Sequence, residues 1–176
     1  LWPLSRAMYP KQFIRFFSSD EPSFLGSTLL RLPAKGGFAA PILLCNNDHR
    51  FLVKDELERA GIDAGAVYLE PVAKNTAAAI AVGALAVVKD DPDGVMVVMP
   101  SDHVIGDAAA FAKAVEKAAR VAATGRLVLF GIKPSEAHTG YGYIRQGASI
   151  PGGEAFAVDA FFEKPDAETA AGYLKS

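Results

Sequence analysis

Short apolar runs alternate with longer stretches of helical periodicity along most of the chain, which is the pattern of an α/β protein. Four runs read as strands: residues 40–46, 66–69, 94–99 and 126–130. The third, Val95-Met96-Val97-Val98-Met99, is apolar at every position, as expected of a strand covered on both faces in a parallel sheet. Crossover helices fit between the runs. Residues 48–60 stop before Gly61, a good helix terminator. Residues 75–89 are rich in alanine, with Asn75 or Thr76 available as N-cap. Residues 108–123 follow Asp107 and repeat Phe111, Val115 and Ala118 or Ala119 on one face. After Gly131 the rhythm changes to two longer strands, 141–146 and Phe156–Glu163, joined by the turn Pro151-Gly152-Gly153. Phe156, Val158 and Ala160 fall on one side of the second, and residues 166–176 begin like a helix. The expected fold is α/β, with a mainly parallel central sheet and helices on both faces.

Composition narrows the class. A chain of 176 residues suits one domain with a sizeable core, so residues 1–176 are read as a single domain. With 51% hydrophobic and 22% charged residues it is not a disordered chain. A formal net charge of -2 gives no electrostatic case for nucleic acid or an anionic membrane as partner. The single cysteine, Cys45, lies in the apolar run Ile42-Leu43-Leu44-Cys45, where an inert buried thiol is expected rather than a nucleophile. A reduced, cytoplasmic setting fits that cysteine usage, and neither a bilayer-length apolar run nor a signal-peptide pattern is present. Oligomeric state is not written in the sequence, and a homo-oligomer stays compatible with it.

An open parallel sheet binds its ligand at the carboxyl ends of its strands, so the polar residues emerging there are the candidates. The apolar run 95–99 empties into Pro100-Ser101-Asp102-His103. Asp102 is placed to hold Mg²⁺, a hard cation that takes carboxylate and phosphate oxygens; capping of the next turn is the plainer role. His103 reads as a loop residue beside the site, since no second histidine stands at ligand spacing. Glu70-Pro71 ends one strand and Lys74-Asn75-Thr76 opens the next helix. A carboxylate beside free helix N–H groups can read a nucleobase, and simple capping by Asn75 is compatible with that. Thr139-Gly140-Tyr141-Gly142-Tyr143 offers two glycines where backbone can approach a ligand, or a plain strand-edge turn. Glu163-Lys164-Pro165 puts an anion and a cation at a strand end; successive strand residues face opposite ways, so no ion pair is expected between them. A glutamate for sugar hydroxyls and a lysine for phosphate is one reading, a solvated strand end the other. Near the start, Arg6 and Lys11 bring two cations to a proline-bracketed loop of the kind that grips polyphosphate; a basic surface loop is the plainer reading.

In combination these segments resemble a known family. Leu1-Trp2-Pro3-Leu4-Ser5-Arg6 with Pro10-Lys11-Gln12-Phe13, then Glu70-Pro71-x-x-Lys74-Asn75-Thr76-Ala77, Pro100-Ser101-Asp102-His103, Gly140-Tyr141-Gly142-Tyr143-Ile144 and Phe162-Glu163-Lys164-Pro165 occur in the order seen in sugar-1-phosphate nucleotidylyltransferases. The wording is closest to the mannose-1-phosphate guanylyltransferases, including forms fused to a mannose-6-phosphate isomerase domain. The resemblance implies a Rossmann-like nucleotidyltransferase domain. It also implies small-molecule substrates, GTP and mannose 1-phosphate, giving GDP-mannose and pyrophosphate with Mg²⁺ as cofactor. By motif position, Lys11 would contact phosphate and Asp102 would hold Mg²⁺, these two being the catalytic candidates. Glu70, Pro71, Asn75, Thr76, Ser101 and Asp102 would surround the nucleotide, and Gly142, Glu163 and Lys164 would bind the sugar phosphate. Trp2 and the Pro10 to Phe13 wording favour the mannose and guanine branch. Glucose 1-phosphate with dTTP or UTP is one alternative, a non-catalytic nucleotide-sugar-binding regulatory subunit another. The family's Gly-Gly-x-Gly-Thr-Arg loop, normally just before this opening, and a second metal-binding aspartate beyond Ser176 are not in the chain. An incomplete and catalytically impaired domain is therefore expected.

Overall fold

In the computed structural model, which describes residues 3–15, 20–32, 36–72 and 74–174, the chain divides into two units, Leu1–Val115 and Glu116–Ser176. The first contains α1 (Phe24–Arg31), β1 (Ile42–Asn46), α2 (Arg50–Ala60), β2 (Ala66–Glu70) and α3 (Asn75–Asp90); the division falls inside α4 (Ala108–Ala122). The second holds β3 (Gly142–Ser149), β4 (Phe156–Glu163) and α5 (Ala167–Tyr173). Leu1 and Trp2 of the opening motif and residues 175–176 of the expected last helix lie outside the described residues.

In the first unit, β1 and β2 pair in parallel from Ile42 opposite Ala66 to Asn46 opposite Glu70. The crossover between them is α2, entered through a 3₁₀ turn (Asn47–His49) and ended by Gly61, whose φ of +63° is open to glycine at little cost. Phe13, Leu25, Leu29, Leu43 and Val53 form the buried cluster that joins this crossover to α1 and to the segment after Lys11. Among the described residues one charged side chain, Glu56, is buried in this interior. The Glu56 carboxylate of α2, its side chain only 6% exposed, pairs with Arg15 and accepts from Ser23 Oγ at 2.6 Å. Ser23 Oγ in turn accepts from Gly26 N at 3.0 Å, so the hydroxyl that caps α1 also ties α1 to α2.

The second unit is an antiparallel hairpin, Gly142 opposite Glu163, with register shifts between Arg145 and Gln146 and again between Gln146 and Ser149. Gly152 and Gly153 turn the chain with φ of +96° and +69°. Asp166 caps α5 by accepting from Thr169 N at 2.7 Å, and Tyr173 of that helix sets its ring 5.2 Å from Phe162 and 5.3 Å from Tyr143.

The α/β expectation holds, and α2, α3 and α4 fall within a residue or two of their expected bounds; α5 is shorter than expected among the described residues, and α1 was not expected. The strands differ. Among the described residues, 94–99 and 126–130 form no ladder, and the parallel pairing stops at two strands. An apolar run shows that side chains seek cover, but a ladder also needs a neighbouring backbone in register. Residues 94–99 find side-chain cover only in part. Met96 lies near Gly83 of α3, while Val95 and Val98 remain 41% and 50% exposed. Leu127, in the other run, is fully exposed. No helix among the described residues is long and apolar enough to cross a membrane.

Glu56→Leu leaves Arg15 without its carboxylate and Ser23 without its acceptor. Breaking a buried pair from one side costs about 3 kcal/mol or more, so urea unfolding should show a markedly lower midpoint; an unchanged midpoint would mean the network carries no stability.

Candidate active site

The site of the first unit grows from the carboxyl end of the β1–β2 pair, where Asn46 and Glu70 are register partners. Asn46 turns the chain by accepting from Asp48 N at 2.8 Å, which presents His49 beside that edge. Glu70, half-buried, leads through Pro71 to the start of α3. The thiol of Cys45, one residue before Asn46, is pushed up by partial burial and by the Glu70 charge, as suits an inert core cysteine.

The opening motif folds into a tight turn at this end. Arg6 and Tyr9 exchange two backbone hydrogen bonds of 3.0 Å, Tyr9 Oη donates to Phe13 O at 2.8 Å, and Lys11 begins a 3₁₀ turn (Lys11–Phe13) that drives Phe13 into the core. Lys11 Nζ meets Asp102 Oδ2 at 2.5 Å, joining residues 91 positions apart that the sequence reading assigned to phosphate and metal. The hydrogen bond from Lys11 is the chief reason that the Asp102 carboxyl is held below the usual carboxylate range; partial burial opposes it. The next peptide is held separately: Arg31 Nη2 donates to His103 O at 2.9 Å while its guanidinium lies 5.5 Å from the centre of the Phe111 ring. Ser101 sits half-buried in the same turn, and His103 is exposed, beside the pair rather than in it.

One assignment at α3 needs correction. Asn75 does not cap the helix and Thr76 already lies inside it; Lys74 takes the cap position without a side-chain hydrogen bond. A capping residue needs extended backbone, whereas Asn75 has φ of +61°, a left-handed conformation asparagine tolerates better than most residues. The first N–H groups of α3 therefore have no side-chain cap.

The second unit gathers its three predicted residues at one corner of the hairpin. Gly142 is the register partner of Glu163, and a Cβ there would fall 2.4 Å from Phe161 Cζ and 3.1 Å from Glu163 Oε2. Glycine is what lets ring and carboxylate lie over that point. Against expectation, Lys164 Nζ pairs with Glu163 Oε1 at 3.0 Å. Strand alternation ends at Glu163: Lys164 adopts φ of +45°, which swings its side chain back toward the carboxylate, while its N–H still donates to Tyr141 O at 3.1 Å. Both members are more than half exposed. Tyr143 Oη accepts from His138 N and donates to His138 O, at 2.9 and 3.0 Å, closing the Thr139-Gly140 turn beside this corner.

Arg31 and His49 were not singled out in the sequence. Asn46-Asn47-Asp48-His49 is a polar cluster at the carboxyl end of a strand, so the rule that drew attention to Asp102 applies to His49 equally. Arg31, 72 positions from its partner, leaves no local signal. Among the described residues no group of three or more His, Cys, Asp or Glu side chains is placed to share a metal ion.

The nucleotidyl transferase family model matches residues 1–176, and the chain belongs to that family. Enzymes of this kind generally use divalent metal ions. Among curated proteins, the xanthan biosynthesis protein XanB of Xanthomonas campestris pv. campestris is 50% identical over the whole chain. The mannose-1-phosphate guanylyltransferase RfbM of Salmonella typhimurium is 47% identical, also over the whole chain. The alginate biosynthesis protein AlgA of Pseudomonas aeruginosa is 44% identical over 94% of it. The chain spans about a third of the length of these relatives, 36%, 36% and 34% respectively. No solved structure matches it significantly.

Because the folded Asp102 titrates below its unfolded value, the pair stabilises the fold at pH above the ordinary carboxylate range, and this is lost as pH falls through the lowered value. Lys11→Met should move the Asp102 titration upward, read from its carboxyl ¹³C shift; an unmoved titration would show that the pair does not form in solution.

Proposed function

We propose that the full-length protein containing this chain transfers GMP from GTP to mannose 1-phosphate, giving GDP-mannose and pyrophosphate, with residues 1–176 forming part of one nucleotidyltransferase domain. The observation that carries this is the contact between Lys11 and Asp102, a phosphate-type cation and a metal-type carboxylate made adjacent in a member of this family. The 47% identity to a guanylyltransferase named for mannose 1-phosphate supports the choice of substrates.

In this reading a phosphate oxygen of mannose 1-phosphate attacks the α-phosphorus of GTP. The new P–O bond forms as the bond to the β-phosphate oxygen breaks, and pyrophosphate leaves with that electron pair. Lys11 lies where it can exchange Asp102 for the triphosphate, countering charge on the nonbridging oxygens. Glu70 and the uncapped N–H groups at the start of α3, with Asn75 and Thr76, supply acceptor and donors for the guanine base and ribose; Pro71 and Ser101 shape that surface. In the second unit Lys164 takes the sugar phosphate and Glu163 the hydroxyls, both released from their mutual pair by the ligand.

Mg²⁺ fits this donor set in one mode. Asp102 is ionised at neutral pH and offers one carboxylate, which suits an ion held mainly by substrate phosphates and water. Such an ion would supply charge neutralisation at the phosphates when bound.

The test is pyrophosphate release by the full-length protein, comparing GTP with dTTP and UTP, and mannose 1-phosphate with glucose 1-phosphate. GTP with mannose 1-phosphate should be preferred, and Asp102→Asn should lower kcat by about a hundredfold or more. Preference for dTTP or UTP would overturn the substrate assignment, and an active Asp102→Asn variant would overturn the role of Asp102.

A further inference from the structure

The backbone of the loop that carries Lys11 accepts a side-chain hydrogen bond from outside the loop. His49 Nε2 lies 2.9 Å from Ala7 O, in the middle of the turn closed by Arg6 and Tyr9. A carbonyl oxygen only accepts, so Nε2 carries the proton and donates. The same imidazole lies 6.1 Å, centre to centre, from the ring of Phe13, the residue that anchors the far end of the loop in the core. His49 thus touches the loop on both sides of Lys11.

Its own support is rigid. His49 ends the 3₁₀ turn capped by Asn46, and Arg50 Nη1 donates back to Asn47 O at 2.8 Å. The backbone from which the imidazole reaches Ala7 is therefore set by the hydrogen-bonded turn between β1 and α2. Lys11 is different: its side chain is 47% exposed, and its ammonium is paired with Asp102, a partner it must exchange to reach phosphate. A flexible cation loses more freedom on gripping phosphate than one whose backbone is already fixed.

The geometry points to His49 as a positioning residue for the phosphate-binding lysine: by holding Ala7 O and backing Phe13, it fixes the backbone from which Lys11 reaches the triphosphate. This rests on the reading of Lys11 as the phosphate contact. His49 itself touches neither substrate nor metal in this assignment and acts through the loop.

The experiment uses the full-length protein and measures KM for GTP, kcat and thermal midpoint for His49→Leu, His49→Gln, Lys11→Met and the double variant Lys11→Met/His49→Leu. Loss of one positioning hydrogen bond should raise KM for GTP roughly threefold to tenfold in His49→Leu. Glutamine places an N–H at about the reach of Nε2, so His49→Gln should recover most of that loss. The double variant should be no worse than Lys11→Met alone, because the effect of His49 passes through Lys11. An unchanged KM in His49→Leu, equal impairment in the leucine and glutamine variants, or additive losses in the double variant would each overturn the proposal. If Lys11→Met alone leaves KM unchanged, the reading of Lys11 falls and the positioning role with it; an impaired Lys11→Met beside a normal His49→Leu removes only the latter.

Discussion

Glu56 is the group on which the first unit depends. A carboxyl taken almost wholly out of water needs partners, and two separate segments supply them: Arg15 from the stretch after the Lys11 loop and Ser23 from the start of α1. Each partner fixes something else. Ser23 caps α1, and Arg15 follows Phe13, which is buried against residues of the same helices. The carboxylate therefore brings together the base of the candidate phosphate loop, α1 and the crossover helix. Apolar packing among Phe13, Leu25, Leu29 and Val53 would tolerate several arrangements of these elements, whereas the charged contact admits few.

The two clusters of candidate residues share a chemical logic. In each, a lysine meets a carboxylate near the surface: Lys11 with Asp102, Lys164 with Glu163. Exposed pairs of this sort contribute little to stability. In the proposed reaction a phosphate displaces the carboxylate from the lysine, while the freed carboxylate turns to a cation or to hydroxyls. Charges are then exchanged between partners rather than stripped of them, which keeps the cost of ligand entry low.

Much of this was legible in the chain. Gly61 marked the end of α2, Asp107 the start of α4, and Pro151-Gly152-Gly153 the hairpin turn, because each is a local signal with a local cause. The candidate site was legible as a set of residue types at strand ends, but not as contacts. Lys11 with Asp102 is a tertiary meeting that neither segment encodes alone. Three readings failed for identifiable reasons. Residues 94–99 and 126–130 carried the composition of strands without, among the described residues, a backbone neighbour in register. Asn75 was read as a cap from its identity, whereas its backbone is left-handed. Glu163 and Lys164 were placed on opposite faces by strand alternation, which stops one residue too early for that rule to apply.

Lys164 has a consequence for how such a chain evolves or is engineered. Its backbone is one that glycine occupies freely and that costs lysine of order 1–3 kcal/mol. A library ranked only by heat tolerance would accordingly drift to glycine at this corner, and the survivors would be sturdier molecules that had lost their cation. Persistence of lysine there is bought against thermal selection, so a survey of natural sequences at that position would separate lineages retaining the proposed sugar-phosphate grip from those keeping the scaffold alone.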